Sequence, residues 1–219
     1  MILRWAGGLG LVAVICLMWL EAEHIRESEI ARYQKYNGII EESAAANKLD
    51  SCLIKAVIWQ ESRYNERAFG TAQERGLMQV TPIAGSEWAA TMKIETFQPT
   101  DLFDPRTNIQ AGSWYLARAI RRWNQADIPE AFALAEYNAG RSQALRWASG
   151  LDKWNASVFL TRIDYPSTRR YVENILKYRE SYRHGNPPEN DLTLYQALSR
   201  RFSPFFHPTK FHEPVPGKV

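Results

Sequence analysis

The sequence predicts a mainly α-helical domain with minimal strand and two appendages, and three observations carry that reading. Apolar residues recur at helical spacing almost throughout the central stretch. Helix start and stop signals fall where that period begins and ends. Strand signals are confined to Glu74 to Thr81 and Asn155 to Asp164, the two places where short extended pieces are expected. With 219 residues and a 45% hydrophobic share the chain can bury one sizeable core, and nothing marks two equal globular halves.

Taken in order, Arg4 precedes a nearly continuous apolar run from Trp5 to Leu20, followed by Glu21 and Glu23. Residues 1–20 therefore read as a signal anchor or signal peptide with its positive end in the cytoplasm and the remainder exported. A full membrane span wants roughly 20 apolar residues. A cleaved signal wants small residues at the cut, and only Leu20-Glu21-Ala22 comes near, so retention as an anchor is favoured. Ile15 directly before Cys16 argues against acylation there. Residues 21–38 read as a polar helical stalk ended by Gly38, and residues 39–184 as the folded domain. Gly185-Asn186-Pro187-Pro188 then opens a loosely structured C-terminal tail, residues 185–219, punctuated by Pro204, Pro208, Pro214 and Pro216.

Inside the domain, Leu53, Val57, Ile58 and Glu61 share one helical face, and Ile109, Gly112, Leu116, Ala119, Ile120 and Trp123 share another. Asp104 before Pro105 is an N-cap with proline at the first helical position. Asp127 with Ile128-Pro129 introduces a helix that Gly140 ends. From Thr168 onward Tyr171, Ile175, Tyr178 and Tyr182 keep the helical period.

Composition excludes several functions. The formal charge of +3 is a mild excess, and pairs such as Arg121-Arg122, Arg169-Arg170 and Arg200-Arg201 read as solvated helix surface, so no nucleic-acid partner is expected. His24, His184, His207 and His212 show no metal-ligand spacing with either cysteine, so no metal and no cofactor is expected. Cys16 and Cys52 are both expected unpaired. Aromatic residues are plentiful, and their flat apolar faces suit either sugar stacking or a well-filled core.

Glu61 is the informative acid, because it follows Val57 and Ile58 on the buried stripe instead of the wet side of its helix. A carboxyl there is costly to ionise, and the negative end of the helix dipole adds to the cost. A protonated carboxyl is what a general acid needs, since a glycosidic oxygen is a poor leaving group until protonated.

Glu61 also stands first in a series of landmarks. These are Ala56-Val57-Ile58-Trp59-Gln60-Glu61-Ser62-Arg63-Tyr64-Asn65, Gly76-Leu77-Met78-Gln79-Val80-Thr81-Pro82, and Asp101-Leu102-Phe103-Asp104-Pro105 with Asn108-Ile109 and Gly112. Ala135-Glu136-Tyr137-Asn138-Ala139-Gly140 and Thr168-Arg169-Arg170-Tyr171-Val172 complete the series. In their order and spacing the chain resembles the lysozyme-like soluble lytic transglycosylases from Ile39 to Tyr182. The resemblance implies a lysozyme-like α domain acting on peptidoglycan in the periplasm, tethered to the inner membrane by its N-terminal segment.

It also implies roles. Glu61 matches the sole catalytic acid/base; Gln79, Met78, Tyr137, Asn138 and Tyr171 match substrate-binding positions, and Ser62 supports the acid. Gln79 offers an amide donor and acceptor, and Tyr137 a ring face and a hydroxyl. Met78 reads equally as core packing and Asn138 as a helix-terminal cap, while Arg63 and Tyr64 are expected to close the helix end. The implied reaction cleaves the MurNAc-GlcNAc β-1,4 bond and closes the muramic 6-hydroxyl onto its own anomeric carbon, giving a 1,6-anhydro product. A goose-type hydrolase of the same fold and a non-catalytic wall-binding assembly protein are the alternatives. No feature assigns the chain to wall turnover, a secretion or conjugation machinery, or a phage-like system.

Three departures from the family pattern stand out. Ser167 replaces a glutamate, Gly70 replaces a serine, and Gln73-Glu74 replaces Gly-Ala before the Gly-Leu-Met-Gln turn. No second catalytic carboxyl is evident: Glu136 is expected to face solvent, and Asp101 and Asp104 to serve as turn and cap residues.

Overall fold

The computed structural model describes residues 17–21, 24, 31, 34–151 and 154–185. Most of the apolar N-terminal run, including Cys16, and the tail beyond Gly185 lie outside the described residues. Those described fall into two compact units, up to Asn37 and from Gly38 onward. In the first, Leu17 to Glu21 are helical. Among the described residues no helix is long and apolar enough to cross a membrane.

The second unit is built from helices α1 (Asn37–Asn47), α2 (Ser51–Ser62), α3 (Pro82–Thr91), α4 (Pro105–Arg122), α5 (Pro129–Ala139), α6 (Arg141–Ala148), α7 (Ala156–Arg162) and α8 (Pro166–Arg183). A 3-10 turn, Pro99–Phe103, precedes α4. Their starts are written in the sequence. Asp50, Thr81, Asp104 and Asn155 accept from the Cys52, Ala84, Thr107 and Val158 amides respectively, each cap worth about 1 kcal/mol. Pro82, Pro105, Pro129 and Pro166 occupy first helical positions, where the missing N–H costs nothing.

Helix α5 is the axis of the fold. Every residue from Ala131 to Ala139 is buried, because α4, α6, α7 and α8 all pack against it. Helix α2 packs on α8, which brings the C-terminal end of α2 beside the first turns of α8.

Three expectations are corrected. Ala156–Arg162 is helical, since Asn155 caps α7 and Phe159 leaves solvent entirely by stacking on Phe132. Glu74 to Thr81 forms only isolated bridges, Phe69 with Arg75 and Arg75 with Val80. Gly38 lies within the first turn of α1 instead of interrupting a helix, and the turn before it falls at Lys35-Tyr36. Helix α5 starts at Pro129 and ends at Gly140, as expected; the Asp127 carboxylate takes the Ala156 amide and the Asn155 side chain at 2.8 Å each and so organises the start of α7.

Candidate active site

Glu61 is the penultimate residue of α2 and only 8% exposed. Arg63 and Tyr64 both enter the left-handed region, at φ 52° and 59°, and turn the chain away from the helix axis. The Arg63 N–H closes on the Trp59 carbonyl at 3.1 Å, and its guanidinium lies 4.6 Å from the Trp59 ring. These two residues end the helix, as the sequence suggests.

The Ser62 hydroxyl lies 2.7 Å from the Leu77 carbonyl and 3.2 Å from that of Ile58, so it ties the end of α2 to the Gly76–Gln79 turn. That turn is pinned by Asn108, which is fully buried. Asn108 donates to the Arg75 and Leu102 carbonyls at 2.7 Å each and accepts from the Met78 amide at 2.7 Å. Gly76 sits at φ 71°, and a Cβ there would fall 2.4 Å from the Leu102 carbonyl oxygen, so no other residue fits.

Within the turn, Met78 and Gln79 are both buried, and the Met78 side chain follows the core-packing reading. The Met78 side chain has no exposed surface and packs on Gly112, whose missing Cβ leaves room for the thioether. What Met78 contributes is its carbonyl, which accepts from the Tyr137 hydroxyl at 2.8 Å. Gln79 is 4% exposed, and its Nε2 donates to the Ala68 and Gly76 carbonyls at 3.1 and 3.0 Å. Its amide braces the turn. Gln79, Thr81, Tyr115, Tyr137 and Gly140 line an open pocket with about 410 Å³ of empty space. Glu61 is not in that lining.

From the far side α8 reaches in. The Tyr171 hydroxyl donates to Glu61 Oε1 at 2.7 Å, and Tyr171 is 4% exposed. Burial first, and then the neighbouring Glu61 carboxylate, push the Tyr171 and Tyr137 phenols well above the usual tyrosine range. Both therefore stay protonated donors at any working pH. One turn earlier on α8, Thr168 donates to Asn138 Oδ1 at 2.8 Å.

Glu136 contradicts the solvent-facing expectation. It is 1% exposed, ion-paired with Arg122, and accepts from the Trp123 indole at 2.8 Å. Enclosure of α5 on all sides leaves it no route to water, and a buried carboxylate needs such partners. Burial, followed by repulsion from Arg118, lowers the Arg122 guanidinium from its ordinary value. Asp101 and Asp104 accept from the Gln98 and Thr107 amides at 2.8 Å each, as turn and cap residues. Cys52 is a free thiol, and among the described residues no cluster of His, Cys, Asp or Glu has a metal-binding arrangement.

The site unites residues from five separated stretches around a nearly enclosed carboxyl that accepts from the Tyr171 hydroxyl. The profile of the transglycosylase SLT domain matches residues 38–157, and the chain belongs to that family. Among its relatives, the soluble lytic murein transglycosylase of Salmonella typhimurium is 29% identical over 169 residues, covering 76% of this chain and 26% of the relative. The membrane-bound lytic murein transglycosylase F of Desulfosudis oleivorans is 28% identical over 191 residues, 76% of this chain and 40% of the relative. A solved structure of lytic transglycosylase Slt from Pseudomonas aeruginosa, an inactive glutamate-to-glutamine mutant, superposes with TM-score 0.61 at 26% identity over 69% of this chain and 24% of that one. The chain thus spans about a quarter of the length of its soluble relatives.

Two residues that hold the site were not named as site residues from sequence. Asn108 belongs to a landmark, but its role depends on contacts 30 and 33 residues away. Thr168 carries no local signal beyond its place before Tyr171.

Proposed function

We propose that the protein is a peptidoglycan lytic transglycosylase in which Glu61 is the sole acid and base. The observation that carries this reading is the Glu61 carboxyl at a helix end, nearly closed to solvent and bonded at Oε1 by a tyrosine that stays protonated. Substrate is the glycan strand, cleaved at the MurNAc-GlcNAc β-1,4 bond. Glu61 gives its proton to the bridging oxygen as the C1–O bond breaks, and the muramic N-acetyl group stabilises the cationic carbon. The Glu61 carboxylate then takes the proton of the muramic 6-hydroxyl, whose oxygen bonds to C1. Atoms balance without water, and intramolecular closure benefits from high effective molarity. Gln79 and Met78 act through the turn they form, Tyr137 and Asn138 face the sugar from α5, and Ser62 fixes the two walls together.

The apolar run at residues 5–20 supports tethering to the inner membrane with the domain in the periplasm, and some relatives are named as membrane-bound. Product analysis tests the chemistry. Digested peptidoglycan is expected to carry 1,6-anhydro muramic ends, and reducing muramic ends alone would assign a hydrolase instead. Glu61→Gln is expected to lower the release of soluble wall fragments by at least about 100-fold with an unchanged melting temperature.

A further inference from the structure

Helix α8 touches both walls of the site from one face. Tyr171 holds Glu61, and Thr168, one turn earlier and so on the same side of the helix, holds Asn138. Thr168 has no exposed surface, while Asn138 is 8% exposed. A carboxamide is planar, so anchoring its oxygen also sets the direction of its NH2 group. With Oδ1 taken by the Thr168 hydroxyl, Nδ2 is the polar atom that Asn138 has left to offer a ligand. We propose that Thr168 is a positioning residue, which locks the Asn138 carboxamide so that it presents a donor to an acceptor oxygen of the bound sugar, a hydroxyl or an N-acetyl carbonyl. This rests on the reading of Asn138 as a cleft residue of a transglycosylase. A valine at this position would keep the shape and remove the hydroxyl, leaving the amide able to rotate.

The test is a cycle of T168V, T168S, N138A, N138D and the double variant T168V/N138A in the full chain, with initial rates of fragment release measured against wall concentration. T168V is expected to lower kcat/KM about tenfold, T168S to recover most of the loss, and T168V/N138A to be no worse than N138A. N138D, which can still accept from Thr168 but cannot donate, is expected to fall with N138A. Losses that multiply in the double variant, or a T168V rate within twofold of the parent, overturn the proposal.

A second readout does not depend on turnover. The side-chain NH2 resonances of Asn138, identified by their loss in N138A, are expected to shift on adding chitotetraose to the parent and to T168S, and not to T168V. Equal shifts in all three overturn the proposal. If T168V fails to fold, T168A serves in both measurements. A parent that binds chitotetraose with these shifts but releases no wall fragments would refute the proposed function and leave the positioning role standing.

Discussion

Among the described residues two glutamates are buried, one on α2 and one on α5, and their surroundings separate chemistry from structure. Glu136 sits in the middle of the packing, with a guanidinium and an indole N–H on its carboxylate. Glu61 sits at a helix end, with a phenol on one oxygen. A guanidinium favours only the ionised form, whereas a neutral hydroxyl bonds to a carboxyl in either state of protonation. Proton transfer needs both states, and the guanidinium on Glu136 works against one of them. Burial alone does not make an acid catalyst; the charge of the partner decides.

That contrast breaks most visibly through the two glutamates themselves. Glu136→Ala leaves the half-buried Arg122 and the buried Trp123 indole without their partner and is expected to lower stability by about 2 kcal/mol in urea denaturation, while activity per folded molecule stays near the parent. Glu61→Gln should do the reverse. If Glu136→Ala abolished turnover in protein that is still folded, the division between the two sites would be wrong.

Tyr171→Phe sharpens the comparison. Loss of one hydrogen bond to a charged group, about 1.5 kcal/mol, predicts roughly a tenfold lower kcat with KM little changed. A rise in KM alone would make Tyr171 a binding residue.

Two of the departures from the family pattern are physically coupled. A Cβ at Gly70 would lie 2.1 Å from Glu74 Oε2, which accepts from the Ala72 amide. Gly70→Ser is therefore expected to cost about 1 kcal/mol by displacing that carboxylate, and Gly70→Ser with Glu74→Ala to recover most of it. Additive losses in a thermal-melt cycle would uncouple the two positions.

The smallest effect concerns the exposed pair of Arg146 with Asp164. Two bonds from Arg146 and one from the Trp147 indole hold the Asp164 carboxyl down at about 2 against an ordinary value of 3.8. Its folded value is depressed, so its contribution is fully present above pH 3.8 and is lost as pH falls toward 2. Solvent screening keeps this under about 1 kcal/mol. Asp164→Asn should lower the melting temperature slightly at all pH above 3.8 and remove this part of its fall between pH 3.8 and 2.

What could be read without the fold follows the range of each interaction. Glu61 was legible because its place on an apolar stripe depends on neighbours three and four residues back, and Asp104-Pro105 because a cap acts within one turn. Asn155 to Asp164 misled because its β-branched and aromatic residues outweighed a cap that only packing on Phe132 makes decisive. Glu136 misled because charge argues for a surface until the helices enclosing α5 are known.

By itself the sequence determined the family, most of the helices and several of their caps, and it singled out Glu61 as the proposed acid, since all of these rest on short spacings and ordered motifs. Only the tertiary structure decided what meets the acid. Tyr171 lies 110 residues from Glu61, and Thr168 lies 30 from Asn138. Such partners are chosen by how α8 packs against α2 and α5, which is a property of the assembled core and not of any local pattern.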